Sequence, residues 1–481
     1  MINYNRLIVL TLFFSVVIVG ILGVVRYNDF NYLGSVPASN AHFTLSIILK
    51  RALNLNTYYG ASGVDLARIN GGDYLPVYAP GYSFAAALPY GLLQIFNHFW
   101  VRFFNPLSES ISLFLESTAL ALPSILSTAL ISVLIYKLLL HFKVSKTIAV
   151  ITAWSFPFAT FLLGYTSTTY NGLLAASLLL LAFYWLVVPE KYNLRIPLLV
   201  GLLFGMIANT EYVVALCFIP SLVYFYIKTR DKYKTGIVVA GFMAGMLALG
   251  LYNNALFGKP WTFGEQFTGT AFRTGADLTS ITFSGNLWQS LYGNLLSPAK
   301  GLIFQAPLSL LAVPGLIYLF KRRRSSAVLV ISYIAIVALV YAFWHDWGGG
   351  WTTGPRFYTA IVAFLIIAAG YFFSEIKRKT LVAPGFFGLI LFGVLAGATT
   401  LLFGPRDKFS ASYDVSRLRV IQRLEHLFPN PVSVSSLAPY IPKTFGVSLS
   451  AYLVLLTTLI LGSLIILIVL SRRNVVSTYE K

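Results

Sequence analysis

Residues 344–357 read WHDWGGGWTTGPRF. Three consecutive glycines let a backbone approach a ligand closely. Successive N–H groups in such a turn form an anion-binding concavity. Arg356 opens the apolar run that follows, where a helix N-terminus also favours an anion. A guanidinium matches phosphate oxygens with paired hydrogen bonds. Trp344, Trp347 and Trp351 suit either stacking on a sugar or anchoring at a membrane interface. His345 and Asp346 are candidates for acid–base or metal chemistry. A second cation, Lys300, stands in NLLSPAKGLIF (294–304), where a phosphate contact and a snorkelling interface lysine are both open. Carboxylates come from DLARINGGDYLPVYAPGYSFAAALPY (65–90), with Asp65 and Asp73, and from Asp29 upstream. A carboxylate held just above a membrane serves as general base on an acceptor hydroxyl or as an oxygen ligand for a divalent cation. Spacing alone fits equally a solvated Asp that caps a turn or helix. Within apolar runs, Glu116 and Glu211 are costly to bury; Glu211, beside Asn209 and Thr210, also fits a short turn between two spans.

Lipid must be the solvent for most of what positions these groups. Of 481 residues 57% are hydrophobic and only 11% charged, against about 25% charged in a soluble chain. The net charge is +19, but no basic face is interleaved with aromatics for base stacking, which argues against nucleic acid. One cysteine, Cys217, excludes an internal disulfide. No GxxxxGK[ST] loop is present, so no nucleotide site of that kind is expected.

Apolar stretches of crossing length predict spans near 7–25, 79–97, 113–141, 145–164, 168–188, 195–209, 211–228, 235–253, 302–320, 326–344, 356–373, 382–403 and 448–470. Leu7–Val25 is expected to be retained as the first span, because Val24, Val25 and Arg26 make a poor cleavage site. Basic clusters at Lys137–Lys146, Lys228–Lys234, Lys321–Arg324, Lys377–Lys379 and Arg472–Arg473 are separated by four, two, two and two spans. Even counts put all five on one side, the cytoplasm by the positive-inside rule. Three spans before Lys137 break this parity if the N-terminus is also inside. The long connections 26–78, 254–301, 345–355 and 404–447 fall on the other side. Within them, Ala38–Asn54 and Tyr413–Leu427 read as short amphipathic helices at the interface. Two regions are expected: 1–403, which carries the motifs, and 404–481, an outer loop plus a last span. Its basic Arg417, Arg419 and Arg423 sit oddly on the outer side.

Together the motifs resemble the GT-C superfamily of membrane glycosyltransferases, in its protein-mannosyltransferase-like branch. The segments that carry this are ALPSILSTALISVLIYKLLL (121–140), STTYNGLLAASLLLLAFYWL (167–186), NLLSPAKGLIF (294–304) and WGGGWTTGPRFYTAIVAFL (347–365), with the first-loop Asp65 stretch. The resemblance implies an all-α polytopic membrane protein, a GT-C-like bundle of about 12–13 transmembrane helices with extracytoplasmic loops. It also implies a polyprenyl- or dolichyl-phosphate sugar as donor, a glycan, lipid or protein acceptor, and inverting transfer at the outer face of the plasma membrane. Asp65 is implied as base or metal ligand, with Asp73 and then Asp29 behind it. Asp65 and Asp73 would hold Mg or Mn if a cation takes part. Substrate and phosphate contacts are expected at Arg356, Lys300, His345, Asp346, Gly349, Trp351 and Tyr78. Two departures stand out: Ser39-Asn40 occupy the place of the family's paired acids, and Val77-Tyr78 replace a basic residue before Ala-Pro-Gly. A lipid-linked-sugar flippase and a non-catalytic scaffold of the same fold are the alternatives. The flippase is disfavoured by the lack of a polar path through the spans.

Overall fold

The computed structural model describes residues 4–29, 35–58, 66–68, 72–262, 264, 283–344, 346–350, 352–406, 418–425 and 438–476. They form α1 (Tyr4–Leu22), α2 (Ser35–Leu45), β1 (Leu66–Arg68), β2 (Tyr74–Pro76), α3 (Gly81–Phe103), α4 (Glu109–His141), α5 (Lys146–Phe158), α6 (Leu162–Thr166), α7 (Asn171–Val187), α8 (Arg195–Ala208), α9 (Tyr212–Ala215) and α10 (Phe218–Thr229). The second half holds α11 (Lys232–Phe257), α12 (Leu287–Leu295), α13 (Leu302–Gln305), α14 (Ala312–Arg322), α15 (Arg324–Ala342), α16 (Thr359–Glu375), α17 (Lys379–Phe403), α18 (Arg419–Glu425), α19 (Tyr440–Thr444) and α20 (Leu449–Val476).

Eight helical segments among the described residues are long and apolar enough to cross a membrane. Four further crossings are shorter or broken. In one, α5 and α6 are separated at 159–161. In another, α13 and α14 flank a 3-10 turn that Pro307 opens, because proline lacks the N–H needed to continue a helix. The remaining two, α7 and α8, are apolar helices of 17 and 14 residues.

The structure resolves the parity conflict. Tyr136, near the end of α4, donates to Asn5 at the start of α1, while Ser117, near the beginning of α4, accepts from the Tyr27 backbone N–H. Thus α1 and α4 are antiparallel, and residues 5 and 136 share one end. At the other end the Gly81 N–H donates to Asn209 O, and Tyr82 Oη bonds Ser124. Helix α3 therefore leaves and returns on one side, and the expected crossing at 79–97 does not occur. Its Gln94, Asn97, His98 and Arg102 make it more polar than a span. Helix α4, at 33 residues, is about 50 Å long, some 20 Å more than a hydrocarbon core, so its first turns extend past the bilayer beside α3.

The basic clusters do gather at one end. Thr147 bonds Ser471, Lys228 donates to the Leu186 and Val187 carbonyls, and Arg322 lies 3.9 Å from Glu375. The two expected interfacial helices differ from the sequence reading. Residues 36–46 of α2 and its continuation are buried throughout, because α2 is tied to the bundle: Asn40 donates to Thr169 O, and Thr44 to Ser83 O. Helix α18 turns Arg419 and Arg423 inward and exposes Ile421.

Candidate functional site

At the end opposite the basic clusters, residues 346–356 form a loop between α15 and α16. Gly349, Gly350 and Gly354 have φ of +65°, +69° and +67°, a region glycine enters at little cost. Gly349 is needed twice, because a Cβ there would stand 2.6 Å from Arg356 Nε. Lys300 is buried, and its ammonium donates to the carbonyls of Gly348 and Gly350 at 2.6 Å each. It therefore braces the loop from beneath. Trp347 packs its ring against Gly293, and its carbonyl accepts from Asn294, so this tryptophan belongs to the packing of the loop and not to an interfacial belt. From above, Arg423 on α18 bonds Thr353 Oγ1 and, at 3.1 Å, Thr400 Oγ1. The Thr353 N–H donates to Pro405 O, and Tyr165 Oη to Thr353 O. Arg423 is thus a structural part of this end, while Arg417 lies outside the described residues.

Arg356 has no carboxylate within ion-pair distance and no hydrogen bond to its Nε among the described residues. Its electrostatic neighbours are the acids Asp346 and Glu211 and the hydroxyl groups of Tyr78, Tyr165 and Tyr170. Its backbone carbonyl is fixed by Tyr170 Oη at 2.9 Å and Thr359 Oγ1 at 2.6 Å. A buried cation is ordinarily paired; here Asp346 and Glu211 are near, but neither is at ion-pair distance among the described residues, which leaves room for an anion.

Beside it lies Glu211, at the break between α8 and α9. One oxygen accepts from Tyr341 Oη at 2.6 Å and the other from Asn171 Nδ2 at 3.0 Å. Burial pushes its carboxyl above the ordinary carboxylate range, against the pull of the Tyr341 hydrogen bond and the Arg356 charge. Tyr341 stacks on Phe357 at 4.4 Å, and the Arg356 guanidinium sits 5.0 Å from the same Phe357 ring. Trp344 borders both rings at 6.2 and 6.4 Å. Glu211 does stand in a turn between two spans, but a turn packed into this polar cluster. The signal was present as the polar triplet Asn209-Thr210-Glu211 between apolar runs. Its partners Tyr341 and Asn171 sit 130 and 40 residues away and carry no mark in the sequence.

The other expected residues divide. Tyr78 and Asp346 join Arg356. Asp73 is exposed and bound by Asn54 and Asn56 side chains, the latter at 2.7 Å, so its carboxylate organises the entry to β2. Asp29 is half-buried in a turn closed by its N–H on Arg26 O. Asp65, His345 and Trp351 lie outside the described residues. The residue after Asp65, Leu66, pairs with Pro76 across the β1–β2 hairpin, two positions before Tyr78. No group of three His, Cys, Asp or Glu side chains converges among the described residues. Of the expected cation ligands Asp65 and Asp73, only Asp73 lies among the described residues.

A family model for dolichyl-phosphate-mannose-protein mannosyltransferase matches residues 99–252. The fold is similar to that of ArnT from Cupriavidus metallidurans bound to undecaprenyl phosphate, with a TM-score of 0.51 and 14% identity over 95% of this chain and 76% of that one. The family model thus matches about a third of the chain, and the fold is similar to that of ArnT. The eight described helices of crossing length make this chain an integral multi-pass protein. The same ArnT in its apo state gives a TM-score of 0.49 at 12% identity, over 95% of this chain and 76% of that one. An archaeal oligosaccharyltransferase, AglB from Archaeoglobus fulgidus in complex with an inhibitory peptide and a dolichol-phosphate, gives 0.40 at 11%, over 88% of this chain and 60% of AglB. Among curated proteins no sequence matches this chain.

Proposed function

We propose that this protein is a GT-C glycosyltransferase that transfers a sugar from a polyprenyl- or dolichyl-phosphate donor to an acceptor hydroxyl, with inversion, on the extracytoplasmic side of the plasma membrane. The observation that carries this is Arg356, a deep guanidinium with no carboxylate at ion-pair distance among the described residues, set on a glycine loop. The undecaprenyl phosphate of the ArnT structure supports the lipid-phosphate class. In the reaction the acceptor oxygen attacks the anomeric carbon, its proton passes to a carboxylate, and the bond from that carbon to the phosphate oxygen breaks. Lipid phosphate leaves with its charge held by Arg356, assisted by the nearby positive charge of Lys300. Such preorganised charge is usually the largest single catalytic contribution, about 100- to 1,000-fold for one donor. Asp65 is the assigned base, with Asp73 second. Asp65 and Asp73 would hold Mg or Mn if a divalent cation takes part.

The test is transfer from lipid-phosphate sugars by the full chain in membranes, with binding of bare polyprenyl phosphate measured alongside. Asp65→Asn is expected to abolish transfer and keep lipid binding; transfer at the wild-type rate removes the base assignment. A wild-type protein that binds no polyprenyl phosphate overturns the whole reading.

A further inference from the structure

The phosphate clamp accounts for Arg356 but leaves Glu211 without a task. Burying a carboxylate is expensive, and cores retain one only where its hydrogen bonds are met. A simple turn between α8 and α9 needs no acid. Glu211 and Arg356 both sit deep in the protein, yet both keep solvent-accessible surface, as do Tyr78, Trp344, Asp346 and Phe357. Their accessible surface is where a ligand can reach them. This group has a cation at one side and an acceptor at the other. Between them the contacts run from the guanidinium to Phe357 at 5.0 Å, from Phe357 to Tyr341 at 4.4 Å, and from Tyr341 Oη to Glu211 at 2.6 Å. Tyr341 and Asn171 each use one lone pair of a different carboxylate oxygen. Each oxygen keeps another, since an ionised carboxylate offers about four acceptor sites. Fixed in one rotamer beside aromatic rings, it suits a ligand that presents hydroxyl donors on an apolar ring face.

Resting on the glycosyl-transfer reading above, we propose that Glu211 accepts hydrogen bonds from hydroxyl groups of the transferred sugar, with Tyr341 and Asn171 as its positioning residues. Arg356 then reads the phosphate and Glu211 reads the carbohydrate attached to it.

The experiment compares equilibrium binding of bare polyprenyl phosphate with binding of a panel of polyprenyl-phosphate hexoses and pentoses. It uses purified full-length wild type, Glu211→Gln and Tyr341→Phe. Glutamine keeps the shape but replaces an acceptor oxygen with a donor. Wild type is expected to bind at least one sugar-bearing lipid about tenfold more tightly than the bare phosphate, a difference of one hydrogen-bonded contact to a charged group. Glu211→Gln should bind bare lipid like wild type and lose that preference. Tyr341→Phe, which keeps the ring stack, should lose about half of it in logarithmic terms. A preference that survives in Glu211→Gln overturns the proposal. So does an equal loss for bare and sugar-bearing lipid, since Glu211 would then act only through Arg356. Should Glu211→Gln not fold, an unchanged preference in Tyr341→Phe overturns it. Absence of lipid-phosphate binding in the wild type would instead sink the parent reading, so the two failures are distinct.

Discussion

Helix α16 has an arginine at each end, and the two could hardly differ more. Just before its start stands Arg356, deep, fixed through its own carbonyl, and with no carboxylate at ion-pair distance among the described residues. At its far end Glu375 meets Arg322 at 3.9 Å, with side chains 30% and 71% exposed. The second is one of many cations at that end, where water solvates them and their combined sign records which side of a membrane they occupy. The first has given up most of its water. Its positive charge is unscreened, and an anion placed there gains far more than it would at the surface. Charge of one sign lies in water at one end of the molecule and deep in the protein at the other, where the proposed reaction would use it, and burial separates the two.

The contrast is sharpest in substitution. Replacing Arg356 with Met should lower polyprenyl-phosphate affinity and transfer by about 100-fold or more, measured by lipid binding and by turnover. Gly349→Ala is next, because its Cβ would meet Arg356 Nε at 2.6 Å in a backbone with φ +65°. A transfer loss of about tenfold is expected, with a stability cost of about 1–2 kcal/mol for the left-handed backbone, read as a lower melting temperature. Lys300→Met leaves the buried Gly348 and Gly350 carbonyls without their donor. About 1–3 kcal/mol of stability should be lost, with faster proteolysis at the loop.

Glu211 is expected to show itself through pH. Burial raises its carboxyl, so the folded protein retains a proton that the unfolded chain releases. This contribution is fully present below the ordinary carboxylate range near pH 4.3 and is lost as pH climbs through the raised value. Across that window the melting temperature of wild type should fall with rising pH relative to Glu211→Gln, which has no such proton. Parallel curves would count against the buried acid. Smallest of all, Arg322→Gln should change transfer by less than about twofold and stability by a few tenths of a kcal/mol, as exposed pairs do.

The same contrast explains what could be read from the sequence. Apolar length and basic clustering depend on neighbours along the chain, so the bundle and the common end of Lys143, Lys228, Arg322 and Arg472 were legible. The glycine loop with Arg356 was legible because its parts are contiguous. The site's depth was not: Tyr341 joins Glu211, and Arg423 joins Thr353, across 130 and 70 residues. Charge at Arg419 and Arg423 looked like a surface property because sequence hydropathy ignores partners. Helix α3 was taken for a crossing because its length is that of one, and its four polar residues were outvoted by Phe, Leu and Ile.

That helix sets more than its own position. During synthesis, a segment of 23 residues that reaches the insertion machinery can pass through the bilayer or slide back to the side it came from. Every later helix inherits the outcome. Had α3 stayed across, the Lys137 cluster would face the opposite compartment, and Arg356 would open toward the side from which the Lys228 carbonyl cap now looks out. The orientation of nearly four hundred downstream residues therefore hangs on Gln94, Asn97, His98 and Arg102, none of which touches the glycine loop.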